Sequence, residues 1–172
     1  MDFSIASILA VDGIVNGAVY ALVAIALVLV FAVTRVVFIP QGEFVAFGAL
    51  TMAMLQAGAI PGTVWLLLLM AGSAAVLDLL EARREQWPAS RLGRRLLRSL
   101  GFPVAASIAG IALAPLKLAM PFQLLLSLAL VVPMGPLVYR LAYRSLADRS
   151  VLVLLIVSVG VHFALTGLGL LF

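Results

Sequence analysis

A proline, an amide, a glycine and a carboxylate interrupt an otherwise apolar stretch at Pro40-Gln41-Gly42-Glu43, inside residues 13–48. Side chains of this kind can hold a solute by hydrogen bonds, and proline and glycine break the helix that would otherwise hide its own backbone. In hydrocarbon each unpaired N–H or C=O costs several kcal/mol, so backbone that leaves the helix is buried in protein or lines a wet cavity. The break therefore points to a pathway. Glu43 also admits a purely structural reading, because a carboxylate at a helix start gains about 0.3–1 kcal/mol from the helix dipole and satisfies free N–H groups.

Two further polar sets repeat at helical spacing. Asp12, Asn16 and Tyr20 recur every four residues and share one stripe, beside Gly13, Gly17 and Ala21, which form a seam for a closely packed helix. Asn16 either lines the path with Tyr20, Gln41, Gly42 and Glu43 or bonds a neighbouring helix. Asp12 falls near the membrane surface and adds little. Near the other end, Ser158, His162 and Thr166 also recur every four residues, with Gly160 and Gly167 in the same run. Helix packing is the reading for Ser158, Gly160 and His162. No acid stands in that run to form a proton relay, and the single histidine lacks companions for a metal site.

Bond-making chemistry finds no equipment. There is no cysteine, no H-E-x-x-H, no G-x-S-x-G and no pair of intramembrane acids, so no catalytic residue is assigned and the chain is not read as an enzyme. The phosphate-binding pattern G-x-x-x-x-G-K-[ST] is absent too. Any ATP must be bound by another chain.

The elements that carry these residues follow from composition. With 65% hydrophobic and 10% charged residues in 172, the chain cannot clothe a soluble core. It reads as a single all-α transmembrane domain, a polytopic bundle of about six helices at 13–33, 44–60, 62–80, 101–119, 121–139 and 150–172. The third span is the least regular, because Asp78 lies near its end. Ten of the eleven basic residues fall in alternate connections, which places those loops in the cytoplasm and the N-terminus outside. No secretory signal is evident, and residues 2–11 are expected at the outer interface. Trp65, Trp87, Tyr139 and Tyr143 lie near span ends, where aromatic rings anchor at headgroup level.

Residues 81–100 form the one long polar stretch, a cytoplasmic basic loop. From Ser90 as N-cap, Arg91, Arg94, Arg95 and Arg98 share one face and Leu92, Leu96 and Leu100 another, as in an interfacial helix on anionic lipid. An acidic partner subunit is the alternative. Nucleic acid is disfavoured, since the stretch lacks interleaved aromatics.

The run Asn16-Gly17-Ala18-Val19-Tyr20-Ala21-Leu22, then Val30-Phe31, Thr34-Arg35-Val36 and Gln41-Gly42-Glu43-Phe44 with Gly48-Ala49, resembles the opening of branched-chain amino acid ABC transporter permeases of the LivH/LivM type. Downstream, Tyr139-Arg140 or Tyr143-Arg144-Ser145-Leu146, followed by 151–160, resembles that family's "YRPL" turn and "LIAT.G" helix. The resemblance implies a permease subunit that pairs with a second permease, with two ATPase subunits and with a periplasmic substrate-binding protein. It implies a branched-chain or related hydrophobic amino acid as cargo, possible amides or urea included, and residence in the bacterial inner membrane.

Three features depart from that pattern. Phe38 and Gln41 replace the Asn and His of the family's "NFAHGEF". Residues 62–120 have no counterpart and look like an inserted helix pair. Phe172 ends the sequence inside an apolar run, as expected of a truncated or split permease, whose ATPase-docking loop would lie beyond it. The alternative reading is a non-transporting membrane scaffold or an inactive permease fragment.

Overall fold

A computed structural model describes residues 3–86 and 88–171, with the backbone alone at 89–91 and 98. Helix α1 spans Phe3–Thr34, α2 Gln41–Ala57, α3 Gly62–Arg84 and α4 Ala89–Leu113. Helix α5 (Met120–Val131) continues through α6 (Met134–Val138) into a π turn at Tyr139–Tyr143 and a 3₁₀ turn at Arg144–Leu146, and α7 covers Val151–Gly169. Among the described residues there is no strand. The fold is the all-helical bundle expected, with six rods when α5, α6 and the following turns are taken as one.

Five rods are long and apolar enough to cross a membrane: Phe3–Thr34, Gly62–Arg84, Leu92–Leu116, Met120–Leu146 and Val151–Gly169. This is the pattern of a multi-pass membrane protein. The exception is α2, whose 17 residues make a rod of about 25 Å, at the lower limit for a bilayer core of about 30 Å. Boundaries differ from expectation in three other places, one being the fifth rod, which runs on to Leu146 rather than ending at 139. The first helix starts at Phe3 rather than 13, because residues 3–12 contain no proline or glycine to stop an apolar helix from running on toward the N-terminus. The basic stretch begins its helix at Ala89 with Pro88 in the cap position, so Ser90 lies inside the helix and does not cap it.

The core lies around α3. Thr63, Val64, Leu66, Leu67, Met70, Ala71 and Ala74 are buried there, against Ala106 of α4, Leu130 and Met134 of the α5–α6 rod and Leu154 of α7. Gly110 lets α4 come close, since a Cβ at that position would stand 3.0 Å from Val64 and 3.3 Å from Leu130. The pair at 62–120 that looks like an insertion is thus the centre of the bundle. Helix α1, by contrast, has no buried residue, and only Val23, Leu27, Val30 and Thr34 are partly covered.

Of the expected interfacial anchors, Trp65 and Tyr139 are half exposed at helix ends. Trp87 lies outside the described residues. Tyr143 is a correction: it is buried, and its hydroxyl bonds Ser158 at 2.7 Å, because the π turn rotates the ring into the core instead of toward the headgroups.

Candidate functional site

The break after α1 is deeper than a surface turn. Thr34 closes its helix with a hydroxyl bond to the Val30 carbonyl, 2.7 Å, and accepts from the Val36 N–H at 3.2 Å, and Arg35 takes a left-handed conformation with φ 57°. Residues 35–40 are non-helical and run back along the bundle. Val36 and Pro40 are buried on this segment, and Phe38 packs between Phe44, with centroids 5.6 Å apart, and Tyr143, 6.0 Å apart, both rings tilted to it.

Two helices independently report how far the segment climbs. The Gln41 amide donates to the carbonyl of Val23 at 2.7 Å, eleven residues back from the end of α1, or about 16 Å at 1.5 Å per residue. Glu43 Oε1 lies 2.7 Å from Nδ1 of His162, eleven residues into α7, again about 16 Å. Six residues can reach at most about 20 Å, and here turns closed by Ile39 N–H to the Val37 carbonyl (3.0 Å) and Gln41 N–H to the Phe38 carbonyl (3.3 Å) take up part of that reach. Helix α2 therefore starts inside the apolar body, and the non-helical link completes its crossing.

At this start, polar groups from three helices meet. Glu43 is in the first turn of α2, where the helix dipole favours its charge. Its Oε1 faces His162 and lies 3.2 Å from Thr166 Oγ1, which also lies 2.9 Å from the His162 carbonyl, so the single hydroxyl proton serves one of the two. Two acceptors are left over: Gln41 Oε1 and Glu43 Oε2 are buried and find no hydrogen-bond partner among the described residues. Gly42 has open space where a Cβ would stand. His162, expected only to pack helices, also faces Glu43, so the acid missing from its own run comes from α2.

The remaining residues of interest distribute otherwise. Asn16 and Tyr20 lie on the exposed upper part of α1, Tyr20 with 75% of its surface free, and neither is brought to the Gln41–Glu43 cluster. Gly13, Gly17 and Gly160 have no neighbour within 4 Å of a Cβ position, so the close helix approach expected at these glycines is not made within this chain. Ser158 is buried and joins α7 to the π turn through Tyr143.

Sequence reasoning passed over the strongest electrostatic feature. Asp78 of α3 has no exposed surface and is ion-paired with Arg95 of α4, 3.2 Å from Nε, and with Arg140, while Ser99 lies 3.5 Å away. One turn on, Glu81 pairs with Arg95 at 3.1 Å and Arg144 at 3.5 Å. The available signal was an acid pair three residues apart on one helix face, ahead of a basic loop. Several of the basic residues of alternate loops thus meet at one end of the bundle. Among the described residues, no group of three His, Cys, Asp or Glu side chains could hold a metal.

Comparison of the chain with protein-family models, with curated proteins and with solved structures finds no match.

Proposed function

We propose that the chain is a permease subunit of an ABC importer, lining a path for a branched-chain or related hydrophobic amino acid across a bacterial inner membrane with its N-terminus outside. The observation that carries this reading is the non-helical rise at 35–40, which ends in buried polar groups about 16 Å inside the apolar body. Irregular backbone at such depth is tolerated where it is buried in protein or lines a wet cavity, and discontinuous helices serve transporters in this way.

The chemistry suits the cargo. Buried Gln41 Oε1 and Glu43 Oε2 are acceptors without donors, and an amino acid's ammonium brings three. The resemblance at Gln41-Gly42-Glu43-Phe44 supports the same assignment. Where the resembled family carries a histidine two residues before its Glu, this chain has Gln41, and His162 reaches the same carboxylate from α7. A second permease, two ATPase subunits that bind ATP and a periplasmic binding protein complete the proposed system. The uncovered α1, with Gly13 and Gly17 on its free surface, is the natural seat for the second permease.

The test is uptake of a radiolabelled branched-chain amino acid by cells expressing the assembled system, normalised to membrane abundance. Glu43→Gln and Gln41→Ala are each expected to lower uptake about tenfold or more, a barrier change of about 1.4 kcal/mol, with abundance unchanged. Unchanged uptake in both variants removes the cluster from the path. Absence of any uptake by the wild-type system favours a non-transporting scaffold.

A further inference from the structure

At the basic end of the bundle, a cleft of about 870 Å³ opens between α3 and the π turn. Arg83, Arg84, Arg140 and Arg144 line it together with Glu81, and Leu77, Leu80 and Leu141 add an apolar part to the lining. We propose that this cleft binds the phosphate headgroup of an anionic phospholipid, with an acyl chain along the leucines.

The charge balance supports an anion. Four guanidiniums face one carboxylate, and that carboxylate is already held by Arg95 and Arg144. Arg140 is likewise committed to Asp78, which holds it in place at the cleft. Arg83 and Arg84, in the last turn of α3, are exposed and have no ion-pair partner among the described residues. Guanidinium presents a planar fork of donors that matches phosphate oxygens, so a cluster of free and fixed forks is a phosphate-recognition surface.

The apolar wall selects the amphiphile over a soluble anion. Leu77 and Leu80, on the two turns of α3 before Arg83 and Arg84, keep 44% and 53% of their surface free. Basic pockets between spanning helices at the membrane surface are suited to lipid headgroups for this reason. The contact differs from the expected interfacial face of Arg91, Arg94, Arg95 and Arg98, because Arg95 is turned inward to Asp78 and Glu81.

Native mass spectrometry of the full chain, released from nanodiscs containing phosphatidylglycerol and phosphatidylcholine in equal parts, tests the site. Wild type is expected to retain phosphatidylglycerol preferentially. Arg83→Gln/Arg84→Gln is expected to lower that retention about tenfold, since each cation at an anionic surface contributes several-fold, while leaving phosphatidylcholine unchanged. Arg35→Gln/Arg94→Gln, which removes the same charge from residues that do not line the cleft, is expected to change retention less than twofold. Equal retention by the first double variant overturns the proposal, and so does an equal loss in the second, which would mean diffuse attraction. Millimolar inorganic phosphate is expected not to displace the lipid. Displacement by phosphate alone would assign the cleft to a soluble anion instead.

Discussion

Asp78 and Glu43 are both acids inside the apolar body, and their surroundings are built on different plans. Asp78 is enclosed: two arginines from other helices and a serine surround its charge and no surface remains free, so that although Oδ1 makes no well-aligned hydrogen bond its charge is paired. Glu43 is answered on one side alone, by His162 and Thr166, while Oε2 stays without a donor. Breaking a buried ion pair leaves a charge in low dielectric and is strongly destabilising, so a saturated cluster fixes helix positions. An unsaturated one is open to a visiting group. The difference separates a clamp from a site.

The comparison is broken most directly at the clamp. Asp78→Ala takes from Arg140 its carboxylate and from Arg95 one of its partners, and is expected to destabilise the fold by about 3–5 kcal/mol, read as loss of membrane abundance and of the thermal unfolding transition in detergent. A variant that folds normally would show that the arginines find water and that Asp78 clamps nothing. Ser158→Ala leaves the buried Tyr143 hydroxyl unpaired and is expected to lower stability by about 1–3 kcal/mol, measured the same way. Tyr143→Phe added to Ser158→Ala should recover part of that loss, because neither partner is then left alone.

Glu43→Gln sharpens the contrast. Its effect on stability is expected to stay below about 1 kcal/mol, the scale of one helix-dipole interaction, because the amide keeps the shape and an acceptor oxygen for Thr166, even as uptake falls. A loss comparable to that of Asp78→Ala would place Glu43 among the clamps. The smallest effect is expected on α1. Gly13→Ala and Gly17→Ala should leave the stability of the isolated chain within about 0.5 kcal/mol, since a Cβ meets nothing there, but should weaken co-purification with a second permease. A clear loss of stability in the chain alone would mean that this face packs internally.

Hydropathy made most of the bundle legible. Five of the rods coincide with long apolar runs, and the Gln41–Glu43 break stands out as a polar interruption. Burial was not legible in the same way. Helix α1 is more apolar than α3, yet α1 buries nothing and α3 is the core. Lipid tails are as apolar as leucine, so apolarity places a helix in the membrane without choosing its neighbours. Small and polar residues choose them: Thr63, which shares a hydrogen bond with Thr51 at 2.7 Å, Ala71, Ala74 and Asp78 on α3, and Gly110 on α4. The same logic explains why 62–120, set aside as an insertion by its pattern, holds the molecule together.

Composition and periodicity by themselves determined that this chain is a helical membrane protein with a polar break after its first span, because a bilayer leaves so few ways to satisfy a backbone. Which residues answer one another was decided by tertiary structure alone. The pairs His162 with Glu43 and Arg140 with Asp78 bring together residues from distant helices. Local sequence carries a helix's face but not its depth or its neighbour, and both depend on packing across the whole bundle.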